Sequence, residues 1–202
     1  MSEHYFSKEP GSTGEEREIT AQLGKQMFRF WVDAGVFSKR GVDFGTRLLI
    51  ETATLPEQGE ILDLGCGYGP VGVACATFSP KCKVTMVDVN RRALQLAQKN
   101  AELNGVSDRV EILESDGLQE MGNRRFASIL TNPPIRTGKQ TVYRLFRESH
   151  EQLEPGGSLW VVIRKQQGGP SAKKELESLF SEVVLVEKKK GFWILHSRKK
   201  GY

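Results

Sequence analysis

The stretch EILDLGCGYGPVGVACATF, residues 60–78, constrains the fold more tightly than any other part of the chain. Its first half is a nearly continuous apolar run, the mark of a strand covered on both faces and so of a parallel sheet. Alternating glycines end that strand, and an apolar helix follows at once. The alternation then repeats. KVTMVDVN reads as a second strand, and RRALQLAQKNAELNG as a helix with Ala93, Leu96, Ala97 and Leu103 near helical spacing and Gly105 at its stop. RVEILESD is a third strand, FASILTNPP a fourth and SLWVVIRK a fifth. KQTVYRLFRESHEQLEPGG, halted by Pro155 and two glycines, and AKKELESLFSE are helices. VVLVEKKKGFWILHSRK reads as two strands around a turn at Gly191. Strands alternating with helices predict an α/β fold, a doubly wound and mostly parallel sheet with helices on both faces. The tightly joined last pair predicts one antiparallel edge strand.

Upstream the pattern is weaker. The first thirty residues show Gly, Ser and charge and run into a mixed stretch from Leu23, whose front part reads as a strand carrying Phe28, Phe30 and Val32. DFGTRLLIETA looks like a helix start with Leu48, Leu49 and Ala53 on one side. Residues 1–30 are therefore expected to form an N-terminal extension and residues 31–202 a single domain. No run approaches the roughly 18 to 20 apolar residues of a membrane span. The polar, acidic start has no apolar signal core, which predicts a cytoplasmic protein. Cys66, Cys75 and Cys82 lack metal-ligand spacing and are expected to be reduced thiols, with no metal site. Charge is uneven: residues 1–123 hold 13 Lys/Arg against 18 Asp/Glu, and residues 124–202 hold 16 against 7. A basic half invites a polyanion such as RNA, or is simply a solvated lysine-rich face.

Two patterns overlay the glycine turn. Gly67, Gly69 and Gly72 satisfy G-x-G-x-x-G, which admits a dinucleotide pyrophosphate at a helix N-terminus. Asp63 and Gly65 extend the turn to D-x-G-x-G-x-G, in which a carboxylate is tolerated because no phosphate has to bind. Asp88 ends the second strand and suits ribose hydroxyls in either case, or, beside Asn90, it caps the helix that follows. Asp116 closes the third strand, where a carboxylate can receive an adenine amine or simply stabilise a turn. At the fourth strand, ILTNPPIRTGK stops abruptly: prolines cannot donate to a sheet ladder and restrict the residue before them. The chain there exposes a stiff Asn132-Pro133-Pro134 corner.

Together ILDLGCGYGPVGVACA, VTMVDVNRRALQLAQKN and ILTNPPIRTGK resemble the class I S-adenosylmethionine-dependent methyltransferases. More narrowly they resemble the small-domain family that contains the ribosomal RNA guanine-N2 methyltransferases, and GVFSKRGVDFGTRLLIE is similar to the segment before its glycine motif. The resemblance implies a Rossmann-like seven-stranded sheet and S-adenosyl-L-methionine as cofactor. By carry-over, Asp63, Gly65 and Gly67 would line its methionine part, Asp88 would hold the ribose, Val89 would pack on adenine and Asp116 would meet the adenine amine. Asp43 and Gly45 would lie near the mouth.

The corner then has a chemical reading as an amine clamp. The lone pair of an exocyclic base amine is delocalised into the ring, and two acceptors on its two N–H bonds favour a pyramidal, nucleophilic nitrogen. The Asn132 side-chain oxygen and the Pro133 carbonyl supply them, and Pro133 and Pro134 hold both in place beforehand. Asn132 accordingly also borders the cofactor. Related corners place an aromatic residue next, to stack on the base; here it is Ile135. Arg136 and Lys139 beside the corner, and Arg164 and Lys165 after the fifth strand, are the candidate RNA contacts. Lys188, Lys189 and Lys190 in the last hairpin are a further candidate RNA contact or, the favoured reading, only a charged edge strand that discourages aggregation. His4, His150 and His196 stand isolated. Methylation of a protein glutamine, a nicotinamide-dependent oxidoreductase and a non-catalytic RNA-binding module are the competing readings.

Overall fold

The computed structural model describes residues 15–33 and 41–202. Residues 1–14 of the expected extension, and residues 34–40 of the segment that precedes the glycine motif, lie outside the described residues. The chain begins with a hairpin, β1 (Arg17–Leu23) and β2 (Gln26–Val32), followed by α1 (Phe44–Thr52). Then come β3 (Gly59–Leu64), α2 (Pro70–Phe78), β4 (Cys82–Asp88), α3 (Arg91–Leu103), β5 (Val110–Glu114) and β6 (Phe126–Thr131). After them run α4 (Lys139–Gln152), β7 (Leu153–Arg164), α5 (Gly169–Leu179), β8 (Glu182–Lys189) and β9 (Phe192–Arg198), with the hairpin of β8 and β9 closing the sheet.

Seven strands form one sheet in the order β5-β4-β3-β6-β7-β9-β8, the Rossmann-like doubly wound arrangement that the alternation implied. β3, β4, β5, β6 and β7 pair in parallel, and β9 runs antiparallel to both β7 and β8. The antiparallel strand is thus slotted in beside the edge strand β8. A tight turn forces this order. Lys190 and Gly191 both take positive φ, 48° and 78°, which suits a two-residue hairpin connection and lets β9 return directly alongside β8.

One face of the sheet is covered by α1, α2, α3 and the first hairpin, around Phe30, Leu49, Val73 and Ala97. The other is covered by α4 and α5, around Phe126, Phe146 and Leu176. The hairpin belongs to the first of these cores. Phe28 and Phe30 alternate with exposed Met27 and Arg29, and the two rings stack at 6.0 Å. Asn100 of α3, fully buried, accepts from the Trp31 amide at 2.6 Å and donates to the Trp31 and Tyr68 carbonyls at 3.0 and 2.7 Å. One amide therefore ties the hairpin to the glycine turn. The boundary drawn at residue 30 falls inside β2. All three cysteines are buried free thiols, and burial pushes Cys66 and Cys75 well up from the ordinary thiol range. Among the described residues no helix is long and apolar enough to cross a membrane.

The strand order changes direction at β3 and β6. Chain connections leave β3 toward β4 and β5 on one side and return to β6 on the other, which opens a crevice beyond the C-terminal ends of the strands. Leu64, the last residue of β3, pairs with Thr131, the last of β6, and the Thr131 hydroxyl donates to the Leu64 carbonyl at 2.9 Å. The glycine turn and the Asn-Pro-Pro corner leave the sheet side by side.

Candidate active site

Gly65, Gly67 and Gly69 have φ of 75°, 56° and 96°, a left-handed backbone that only glycine adopts at little cost. Gly65 is exposed, and a Cβ built on it would meet nothing within 4 Å, so its hydrogen leaves an open floor. Gly72 serves packing instead: a Cβ there would lie 2.1 Å from the Met86 sulfur.

Two buried carboxylates grip this turn from within. Asp63 Oδ2 accepts from the Gly72 amide and Asp88 Oδ2 from the Gly67 amide, both at 2.8 Å. Asp88 Oδ1 also accepts from the Asn90 amide at 2.9 Å. Asn90, not Asp88, caps α3, accepting from the Arg92 and Ala93 amides. Among the described residues no ion pair offsets either acid. Burial, with the Asp88 charge adding to it, pushes the Asp63 carboxyl up to about 7, and burial also raises Asp88. The arrangement suits a ligand that brings a cation and hydroxyl donors. It repels a pyrophosphate, because the acids occupy the amides of Gly67 and Gly72 and surround the turn with negative charge.

The corner is as stiff as its sequence implies. Pro134, at φ −75° and ψ 77°, makes an inverse γ-turn in which the Ile135 amide donates to the Pro133 carbonyl at 2.8 Å. A carbonyl oxygen has two lone pairs, so one remains for a substrate. The Thr137 amide and hydroxyl both donate to the Pro134 carbonyl, at 3.0 and 2.7 Å. Asn132 is half-buried, and its Nδ2 donates to Thr46 Oγ1 of α1 at 3.2 Å. Asp43 is the N-cap of α1, accepting from the Thr46 amide at 3.0 Å.

A band of cations and aromatic rings adjoins the corner. Phe44, at the start of α1, and Phe192, at the start of β9, lie 5.7 Å apart, and Gly45 lets them meet: a Cβ there would come within 2.6 Å of the Phe192 ring. The Arg164 guanidinium sits 4.3 Å over Phe192, and Lys190 Nζ sits 4.8 Å over Phe44. Lys139 lies 5.4 Å over Tyr143, and Arg136 and Lys165 are exposed. None of these five cations joins the ion pairs of the described residues, whereas Arg29, Arg91, Arg92, Arg124, Arg144 and Arg147 are all paired with carboxylates.

The family model described as Methyltransferase small domain matches residues 27–196. The chain belongs to that family. The uncharacterized protein YbxB of Bacillus subtilis (strain 168) is 48% identical over 201 residues, covering 98% of this chain and 100% of its own. The ribosomal RNA small subunit methyltransferase C of Escherichia coli is 38% identical over 132 residues, 63% of this chain and 38% of the relative. Among solved structures, the Thermus thermophilus 16S rRNA N2 G1207 methyltransferase, in complex with AdoMet and guanosine, superposes with a TM-score of 0.80 at 23% identity. That match covers 92% of this chain and 51% of the other. This methyltransferase domain thus spans about two-fifths of the curated ribosomal RNA relative and about half of the solved one.

Within the domain, Asp63, Gly65, Gly67, Asp88 and Asn132 gather where the strand order reverses, and Val89 lies half-buried next to Asp88. Asp116 stands farther out. Its exposed carboxylate accepts from Arg144 of α4 at 2.6 Å, and Arg144 also holds Glu148 at 2.7 Å. Arg144, Thr46, Asn100, Phe44 and Phe192 are the site neighbours that sequence reasoning passed over. Each is joined to the site by a partner distant in the chain, with no local signal except the Asp43 cap beside Thr46.

Proposed function

We propose that this methyltransferase domain uses S-adenosylmethionine to methylate an exocyclic base amine of RNA, and that guanine N2 of small-subunit ribosomal RNA is its target. One observation carries the reading: an acid-gripped glycine turn and an Asn-Pro-Pro corner leave adjacent strands at the paired Leu64 and Thr131. The residues of the turn fit the cofactor. The open floor at Gly65 leaves room for its methionine part, Asp63 offers negative charge to an ammonium, and the unused lone pairs of Asp88 suit ribose hydroxyls. Val89 and Asp116 lie on the adenine side in this reading. When bound, the cofactor supplies a methyl group already activated on a sulfonium.

The chain's own residues then have a single task at the corner. Asn132 Oδ1 and the second lone pair of the Pro133 carbonyl accept the two N–H bonds of the amine, and Pro134 fixes their spacing through its γ-turn. This favours a pyramidal nitrogen with its lone pair directed outward, so no strong base is required. The relatives named for ribosomal RNA methylation support the RNA target. So does the band of cations outside the ion pairs of the described residues, Arg136, Lys139, Arg164, Lys165 and Lys190, which suits phosphates flanking an extruded base. For Lys190 this favours the RNA contact over the charged edge strand. Ile135 offers the base an apolar face and no aromatic stack.

The test is single-turnover methyl transfer to small-subunit ribosomal RNA, with cofactor affinity measured beside it. Asn132→Ala should fold and bind cofactor while turnover falls about 10²–10³-fold, the scale for removing one preorganised hydrogen bond to a transition state. Asn132→Asp keeps an acceptor and should lose less. Wild-type turnover in Asn132→Ala would remove the clamp, and transfer to a protein glutamine in preference to RNA would replace the substrate.

A further inference from the structure

We infer that Thr46 is a positioning residue for Asn132, its hydroxyl holding the amide so that Oδ1 and not Nδ2 faces the amine. The inference rests on the clamp reading and deepens it. A clamp made from asparagine has an orientation problem, because the terminal torsion of the amide is broad and roughly two-fold. Turned the wrong way, Asn132 presents N–H donors to an amine that is itself a donor. The prolines fix the backbone of the corner but not this torsion.

The structure supplies the missing constraint from another element. Asn132 Nδ2 donates to Thr46 Oγ1 at 3.2 Å, across 86 residues of chain. Thr46 is only 6% exposed, so water has little access to replace it. Its backbone is set by the first turn of α1: the Thr46 amide donates to Asp43 Oδ1 and the Arg47 amide to the Asp43 carbonyl, both at 3.0 Å. That turn is seated in turn by Leu48 and Leu49 in the core and by Gly45 against Phe192. A threonine on a helix has two main χ1 choices, and the one taken by this buried side chain sets Oγ1 against Asn132 Nδ2. With Nδ2 committed to it, Oδ1 is the end of the amide left for the substrate.

The test is a mutant cycle on Thr46 and Asn132, read as kcat and KM for methyl transfer to small-subunit ribosomal RNA, with cofactor affinity and melting temperature alongside. Thr46→Val should lower kcat about three- to tenfold, the worth of one hydrogen bond, with KM and cofactor affinity little changed. Thr46→Ser should restore kcat. In the Asn132→Asp background both oxygens are acceptors, so orientation no longer matters and Thr46→Val should have much less effect. The Asn132 side-chain amide resonances, resolved by ¹⁵N NMR, should be slow to exchange in wild type and Thr46→Ser and fast in Thr46→Val. Equal losses in both backgrounds, or no loss beside Asn132, would overturn the inference. If Thr46→Val does not fold, Thr46→Ala against Thr46→Ser reads the same hydroxyl. The two readings separate cleanly: Asn132→Ala at wild-type rate ends the clamp, whereas a slow Asn132→Ala with a fast Thr46→Val ends only the role of Thr46.

Discussion

Cofactor affinity and the stability of the free domain should respond to pH in opposite directions, and Asp63 is the reason. Asp63 is 2% exposed and has no ion-pair partner among the described residues; burial, with the neighbouring Asp88 charge adding to it, lifts its carboxyl to about 7 against the opposing pull of the Gly72 amide. In the unfolded chain it would titrate near the ordinary value of 3.8. Between these values the folded state holds a proton that the unfolded state has released. Its contribution to stability is therefore complete below pH 3.8 and is lost as pH rises through about 7. Binding has the opposite sign, because a ligand that brings an ammonium to Asp63 selects the ionised form. The ionised fraction of Asp63 in the free protein rises as pH passes through about 7, so affinity should tighten from pH 6 to pH 7.5. Titration calorimetry with S-adenosylmethionine, and melting curves of the free domain at the same pH values, measure the two trends. Asp63→Asn keeps an acceptor for the Gly72 amide, yet it should flatten both trends, leaving the contribution of Asp88, which acts in the same sense. A pH dependence unchanged by Asp63→Asn would show that the acid does not face the ligand.

Asp88→Ala should weaken cofactor binding by about 1.5–3 kcal/mol for each charge-assisted hydrogen bond removed, and should also lower the melting temperature, since the Gly67 and Asn90 amides lose their acceptor. Unchanged calorimetric affinity would move the ribose contact elsewhere. Changing Arg164 and Lys165 together to alanine should weaken RNA binding and flatten its salt dependence by about one unit of slope for each phosphate no longer neutralised, with cofactor affinity unaffected. An unaltered slope in a filter-binding series would remove both from the RNA surface. Gly45→Ala drives a methyl into the Phe192 ring, which should destabilise the domain by about 1–3 kcal/mol, and Phe192→Leu should recover much of that loss in thermal melts. Additive effects of the two changes would mean that the cost of the alanine does not come from the Phe192 ring.

From Glu60 onward the architecture was legible because its signals are local. An apolar run such as Ile61 to Leu64 and the glycines after it carry their meaning within a few residues, wherever the rest of the chain goes. A parallel sheet then adds what local reading lacks: it delivers the C-terminal ends of β3, β4 and β6 to one edge, so Asp63, Asp88 and Asn132 meet although they are far apart in sequence. β1 was illegible, since only Ala21 and Leu23 of its seven residues are buried, and it is held by its pairing with β2 and by α1, whose Arg47 donates to the Gln22 carbonyl. Thr46 and Asn100 were illegible for a different reason. A hydroxyl in the first turn of a helix, or an amide on its inner face, looks the same in sequence whether its partner is water or a group 86 residues distant.

The choice between the two glycine patterns turned on the same distinction. G-x-G-x-x-G names glycines, but a phosphate binds to amide hydrogens, and those of Gly67 and Gly72 are taken up by Asp88 and Asp63. Once both acids are folded inward, the turn can no longer offer what a pyrophosphate needs. Restoring those donors would require removing the two carboxylates that hold the turn in shape. A dinucleotide site is therefore not a small step from this one: the groups that reject it are also the groups that build the loop.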